Sequence, residues 1–289
     1  MNEYDEDAFI IGTMTQSFSR LNSFYICPYE WHKNYIDCEK KEGSAQAQSG
    51  SLMHEILEKY AKNELTIFDL SVYYMDNFDK KVTYDFPRNK YVDLRQKYYD
   101  DGLNYLDNID LNLEDYDILG VERKVEFKID DNNCIGFIDL LLRDKSNDEI
   151  IIMDHKSSSI GILKSGKIAK KDREHFDSFK KQLYLYAKPV FEEYGHVDKL
   201  KWNLFRERKY LEIPFDIKEY NESIQWAKDT IDKIKNEREW GINKEFIKAM
   251  NEHKYPPFYC MNLCAQRWNC DYKINYLNSL KEDRREEYE

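Results

Sequence analysis

Two acids and a lysine are the residues of this sequence best placed to do chemistry. Asp139 stands in Gly136-Phe137-Ile138-Asp139-Leu140-Leu141-Leu142, and Asp154 and Lys156 stand in Ile150-Ile151-Ile152-Met153-Asp154-His155-Lys156. Both runs are apolar apart from these charges, with a polar stretch from Arg143 to Glu149 between them, so they read as neighbouring strands. Side chains along a strand alternate faces, which sends Asp154 and Lys156 the same way and His155 the other. If Asp139 shares that face, two carboxylates and an ammonium converge at one sheet edge. Such a cluster could hold a divalent cation and activate a water. An acid-x-lysine triplet alone also fits an ordinary salt-bridged strand.

The elements that must position these residues are legible in outline. Strands are expected at about 118–129, 134–142, 150–156, 200–205 and 210–214. Glu122, in Gly120-Val121-Glu122-Arg123-Lys124, sits near the start of the first strand. Ser17 is a candidate cap for a helix reaching Cys27-Pro28-Tyr29. Another helix follows Gly50, where Leu52, Met53, Ile56, Leu57, Tyr60 and Ala61 form one stripe with His54 at its margin. Residues 65–118 are acidic, Tyr-rich and helical in pattern, and further helices are expected at about 174–194 and 217–240. Gln182 and Tyr186, four apart, share a helical face. No Pro- or Gly-rich linker divides the chain. We expect one α/β domain spanning 1–289: a helical N-terminal part (15–115), a core (115–215), and a C-terminal helix with a cysteine cluster (216–275).

The ordered set resembles the PD-(D/E)XK nuclease superfamily, and within it the RecB-like branch of phage exonucleases and iron–sulfur CRISPR-associated nucleases. The resemblance rests on Ser17-Phe18-Ser19-Arg20-Leu21, Cys27-Pro28-Tyr29, Gly50-Ser51-Leu52-Met53-His54, Gly136-Phe137-Ile138-Asp139, Asp154-His155-Lys156 and Gln182-Leu183-Tyr184-Leu185-Tyr186. It implies a central mixed β-sheet flanked by helices, the restriction-endonuclease-like core. By the same resemblance, Asp139 and Asp154 are ligands for Mg²⁺ or Mn²⁺, His54 adds a nitrogen, and the His155 backbone carbonyl completes the shell. Lys156 orients or deprotonates the attacking water and stabilises developing charge. Glu122 is an accessory ligand or water-holder, and Gln182 and Tyr186 contact DNA or support the site.

Six cysteines occur. Cys260, Cys264 and Cys270 lie within eleven residues, after Pro256-Pro257, as in a metal or cluster knot. The resemblance supplies Cys27 as the fourth ligand of a [4Fe–4S] cluster, with four-thiolate Zn²⁺ as the rival. The family's late spacing is Cys-x2-Cys-x5-Cys, whereas three residues separate Cys260 from Cys264 here. Cys38 and Cys134 read as packing residues.

The net charge of −11 argues against a generally basic nucleic-acid coat, although the lysines and arginine from Lys164 to Lys181 could meet a phosphate backbone. No run of 18 apolar residues suggests a membrane span, and the acidic start is unlike a secretion signal, so we expect a cytoplasmic protein. No phosphate-binding Gly-x-x-x-x-Gly-Lys loop is present, so any helicase or recombination partner would be a separate chain. The leading expectation is a metal-dependent DNA exonuclease acting in recombination, repair or end processing. A catalytically silent DNA-binding or assembly subunit, a CRISPR spacer-processing nuclease and a redox sensor are the alternatives.

Overall fold

The computed structural model describes residues 3–253 and 255–286. The first two residues of the acidic start and the last three of the charged end lie outside them. The chain falls into two compact units, Ala45–Ala227 and a second one made of Met1–Ser44 with Lys228–Glu289.

In the second unit, α1 (Glu3–Thr13), α2 (Phe18–Ile26) and α3 (Pro28–Tyr35) open the chain. The expected cap is present: the Arg20 N–H donates to Ser17 Oγ at 3.2 Å. The expected helix through Cys27-Pro28-Tyr29 is two helices, because Cys27 is extended (φ −156°) and Pro28 begins α3.

Ala45–Ala227 holds α4 (Ala45–Ala61), α5 (Leu70–Lys81), α6 (Leu94–Asp107), β1 (Tyr116–Ile129), β2 (Asn132–Asp144), β3 (Ile150–Lys156), α7 (Arg173–Tyr194), β4 (Lys199–Leu204) and β5 (Lys209–Pro214). The sheet order is β1-β2-β3-β4-β5, with β3 and β4 parallel and every other pair antiparallel. A parallel neighbour needs a crossover, and α7 is the helix of that crossover. This is the expected α/β arrangement, a mixed sheet with flanking helices.

Strand alternation and the β2–β3 register bring the charges together on one face. Leu140, Leu142, Ile151 and Met153 bury one face, which sends Asp139, Asp154 and Lys156 to the other. The α4 stripe of Leu52, Met53, Ile56 and Leu57 packs with Leu70, Tyr74 and Phe78 of α5 and Tyr105 and Leu106 of α6. Each such fully buried side chain contributes about 1.5–3 kcal/mol. That burial fixes the rotation of α4 and so the direction of His54.

α8 (Ile217–Asn236), α9 (Lys244–His253) and α10 (Asp271–Glu286) complete the described chain. α8 ends four residues before the expected 240, and α9 and α10 stand where the sequence showed only a cysteine-bearing tail. No described helix is long and apolar enough to cross a membrane.

Candidate active site and metal centre

Glu122 on β1, Asp139 on β2 and His54 on α4 form the donor cluster of the sheet unit. Their nearest ligand atoms all lie within 4.8 Å of one another. His54 Nδ1 is 3.4 Å from Asp139 Oδ2 and 3.9 Å from Glu122 Oε1. Glu122 reaches the site through an unusual backbone: its φ is +46°, in a strand whose register shifts between Ile118 and Gly120. A non-glycine residue there costs of order 1–3 kcal/mol, and the turn re-aims the side chain beside Asp139.

Asp154 and Lys156 adjoin this cluster. Leu140 pairs with Met153, so Asp139 and Asp154 fall opposite each other one step further on. Lys156 Nζ is 2.8 Å from Asp154 Oδ2 and donates to Asp154 Oδ1 at 3.1 Å. Gln182 of α7 locks the pair. Its Oε1 accepts from Lys156 Nζ at 2.7 Å, and its Nε2 donates to Asp154 Oδ1 at 3.0 Å. Only that orientation of the amide offers oxygen to the cation and N–H to the carboxylate. Tyr186, one turn on, is buried against Gly136, where a Cβ would come within 2.2 Å of the ring.

His155 points to the opposite face. Its backbone N–H donates to Asp139 Oδ2 at 2.6 Å, while its ring Nδ1 is 3.0 Å from Asn203 Nδ2. Asn203 in turn donates to the Tyr105 hydroxyl at 2.7 Å. Asn203 was not singled out from sequence. Its signal was a lone amide between Trp202 and Leu204, and its role emerges only from the His155–Asn203 register.

The electrostatics follow from crowding acids in a buried place. Burial, reinforced by the charge of Asp154, pushes the Asp139 carboxyl up to about 7, against the opposing pull of His54 and the His155 N–H. Burial works to lower the His54 pKa, but Glu122, Asp139 and Asp154 outweigh it and raise it. Burial holds His155 well below the usual histidine range, with His54 and Lys156 adding to the effect. The His155 imidazole is therefore neutral.

The donors fit a hard divalent cation. Two carboxylates and one imidazole nitrogen form the cluster, and Asp154 Oδ2 is buried without a well-aligned hydrogen bond. Oxygen-rich donors with one nitrogen suit Mg²⁺ or Mn²⁺. An open cleft of about 480 Å³ leads to the cluster, lined by His54, Glu122, Gly50 and Ser157 among others.

The second unit has its own concentration of potential ligands. Cys27, Cys260, Cys264 and Cys270 line one small enclosed cavity. Among the described residues no three of these sulfurs lie within 4.8 Å of one another. Cys27 caps α3 and Cys270 precedes α10, so both stand at helix N-termini. Burial pushes the Cys27 thiol up to about 11 and the Cys260 thiol up to about 12, and it raises Cys264 and Cys270 as well. Between Cys260 and Cys264 the chain makes a single π-helical turn, Tyr259–Leu263, closed by the Cys264 N–H on the Tyr259 carbonyl at 2.9 Å.

A structural match, at TM-score 0.47 and 12% identity, is the crystal structure of a "Putative exonuclease" from Eubacterium rectale, covering 90% of this chain and 95% of that one. No curated protein matches the sequence. The family model described as the PD-(D/E)XK nuclease superfamily matches residues 15–271. With that span covering most of the chain, the protein belongs to the PD-(D/E)XK nuclease superfamily.

Proposed function

We propose that the protein is a divalent-metal-dependent deoxyribonuclease that degrades DNA from its ends. The observation that carries this reading is the donor cluster of His54, Glu122 and Asp139 standing beside the Asp154–Lys156–Gln182 network. His54, Asp139 and Asp154, with the His155 carbonyl, would hold Mg²⁺ or Mn²⁺, and Glu122 would hold a further donor position or a water. The ion would supply positive charge at the scissile phosphate and acidify the attacking water. Lys156 as an ammonium would orient that water and offset the charge that builds on the phosphate; only as the neutral amine, its proton first given up, could Nζ take the water's proton. Asp154 and Gln182 hold Nζ in place, since a lysine side chain free to rotate would lose the geometry the reaction needs. Tyr186 supports Gln182 from one turn away. DNA is the substrate, and a helicase or recombination protein would act as a separate partner.

The four cysteines support a [4Fe–4S] cluster as a second cofactor. A tetrahedral zinc site with bonds of about 2.3 Å brings sulfurs to about 3.8 Å of each other. Zinc held by four thiolates is the rival reading, and metal analysis of the purified protein separates the two.

The test is digestion of end-labelled linear DNA and closed circular DNA, each with Mg²⁺ or Mn²⁺. The expected result is loss of label from linear DNA with circular DNA intact. Nicking or linearisation of the circle would show endonucleolytic cutting and overturn the exonuclease reading.

A further inference from the structure

Four cysteines line one cavity, and a buried acid lines it with them. Glu30 of α3 is 4% exposed. Among the described residues no cation forms an ion pair with it. Two donors meet its carboxylate instead. The Tyr259 hydroxyl donates to Glu30 Oε2 at 2.6 Å, and the Ala265 N–H donates to Glu30 Oε1 at 2.8 Å. Tyr259 directly precedes Cys260, and Ala265 directly follows Cys264. One carboxylate therefore grips both ends of the turn that carries these two cysteines.

The residue beside Glu30 does the same for the third late cysteine. The Tyr29 hydroxyl donates to Asp271 Oδ2 at 2.7 Å, and Asp271 directly follows Cys270. Tyr29 and Glu30 lie in the first turn of α3, which Cys27 caps. Each late cysteine thus has a chain neighbour bonded to the turn that Cys27 begins. All of these residues belong to one compact unit. One turn further along α3, Asn34 Oδ1 accepts from Gln266 Nε2 at 2.8 Å, and both residues are buried. A buried carboxylate with no cationic partner is a poor source of stability, because its desolvation offsets the bonds it makes. What it supplies is a pair of acceptor oxygens held at a fixed separation.

We propose that Glu30 is the positioning residue of the four-cysteine site: its carboxylate brackets the Cys260–Cys264 turn and holds it against Cys27 before any metal arrives. This rests on the reading of these cysteines as metal ligands given above. Glu30 itself binds no metal. Side chains already in place lose less freedom when a metal binds, so the brace tightens binding and slows release.

The experiment compares wild-type protein with Glu30→Leu, Glu30→Gln and Tyr259→Phe after anaerobic purification. Iron, acid-labile sulfide and zinc are counted, the fold is checked by circular dichroism, and the rate of metal loss to excess chelator is measured. Glu30→Leu removes both acceptors and should release metal about 10–100-fold faster than wild type, or be purified without it, with its fold intact. Tyr259→Phe removes one bond of the two and should fall between Glu30→Leu and wild type. Glu30→Gln can accept from the Ala265 N–H and donate to the Tyr259 oxygen, so it should restore release to near the wild-type rate. If Glu30→Leu does not fold, Tyr259→Phe against Glu30→Gln carries the same comparison. Folded Glu30→Leu or Tyr259→Phe releasing metal at the wild-type rate would overturn the brace, and so would Glu30→Gln releasing it as fast as Glu30→Leu. A wild-type protein holding neither iron nor zinc would overturn the metal reading of the cysteines, a different and recognisable failure.

Discussion

At the scale of single residues, Asp154 and Lys156 carry the heaviest demand. Asp154→Asn keeps an oxygen for Lys156 and a similar volume, so the fold should persist while a carboxylate is lost. Lys156→Ala removes the Nζ that Gln182 and Asp154 hold at 2.7 Å and 3.1 Å. Each should lower the cleavage rate by about 10²–10⁴-fold with unchanged circular dichroism. Asp139 predicts an unusual pH dependence. Its folded pKa of about 7 lies above its ordinary 3.8, so the metal-free native state binds the extra proton between these values. Stability is then highest at the acid end and falls as pH rises towards about 7. His54, also raised, acts in the same direction: its contribution is complete below its ordinary 6.5 and lost as pH rises through the folded value. Metal needs Asp139 ionised and His54 neutral, so the opposite trend should hold for binding. Below pH 6.5 the buried neutral His155 opposes this trend, so the clean window lies above it: thermal melts from pH 6.5 to 8 should show the metal-free midpoint dropping while the Mn²⁺-induced increase grows. A metal-free midpoint that rises steadily over this range would refute the crowded-acid account.

At the scale of elements, the site depends on a strained strand and on one glycine. Glu122→Gly and Glu122→Ala both remove the carboxylate, but only alanine keeps a Cβ at φ +46°. The glycine variant should therefore be the more stable of the two, by roughly 1 kcal/mol in chemical denaturation. Equal stabilities would mean that this backbone turn stores no strain. Gly136→Ala would drive a methyl into the Tyr186 ring, where the gap is 2.2 Å. Overpacking of this kind costs typically about 1–3 kcal/mol, and displacing Tyr186 should disturb Gln182 and slow cleavage. These two positions also show where reading the sequence succeeds and where it stops. The strands carrying Asp139, Asp154 and Lys156 were legible because dense isoleucine and leucine runs bounded by polar residues mark buried strands, in which alternation puts Asp154 and Lys156 on one face. The α4 stripe was legible for the same reason at helical period. The Glu122 conformation was not, because no residue type announces a positive φ in a strand. The Gln182 clamp across Lys156 and Asp154 and the Asn203 contact behind His155 depend on pairings between distant segments, which local pattern does not encode. The break between α2 and α3 was signalled by Pro28 and still read as one helix.

At the scale of the whole molecule, the central question is whether the four cysteines of one unit serve the nuclease fold of the other. If a cluster ties Cys27 to Cys260, Cys264 and Cys270, ligands more than 230 residues apart in sequence are joined within one unit. Cys27→Ser should then abolish visible absorbance near 400 nm and destabilise Met1–Ser44 with Lys228–Glu289, seen as an earlier transition in calorimetry. A variant that melts as wild type and retains its absorbance would remove Cys27 from the ligand set. Cleavage itself tests the account most directly. Wild-type protein and Asp154→Asn, both with a verified fold, are incubated with end-labelled single- and double-stranded linear DNA in saturating Mn²⁺, and again in chelator. The account predicts label release by wild-type protein only when metal is present, and at least a hundredfold less by Asp154→Asn. No cleavage of either DNA by wild-type protein with Mn²⁺ or Mg²⁺, or equal cleavage by both proteins, would contradict it.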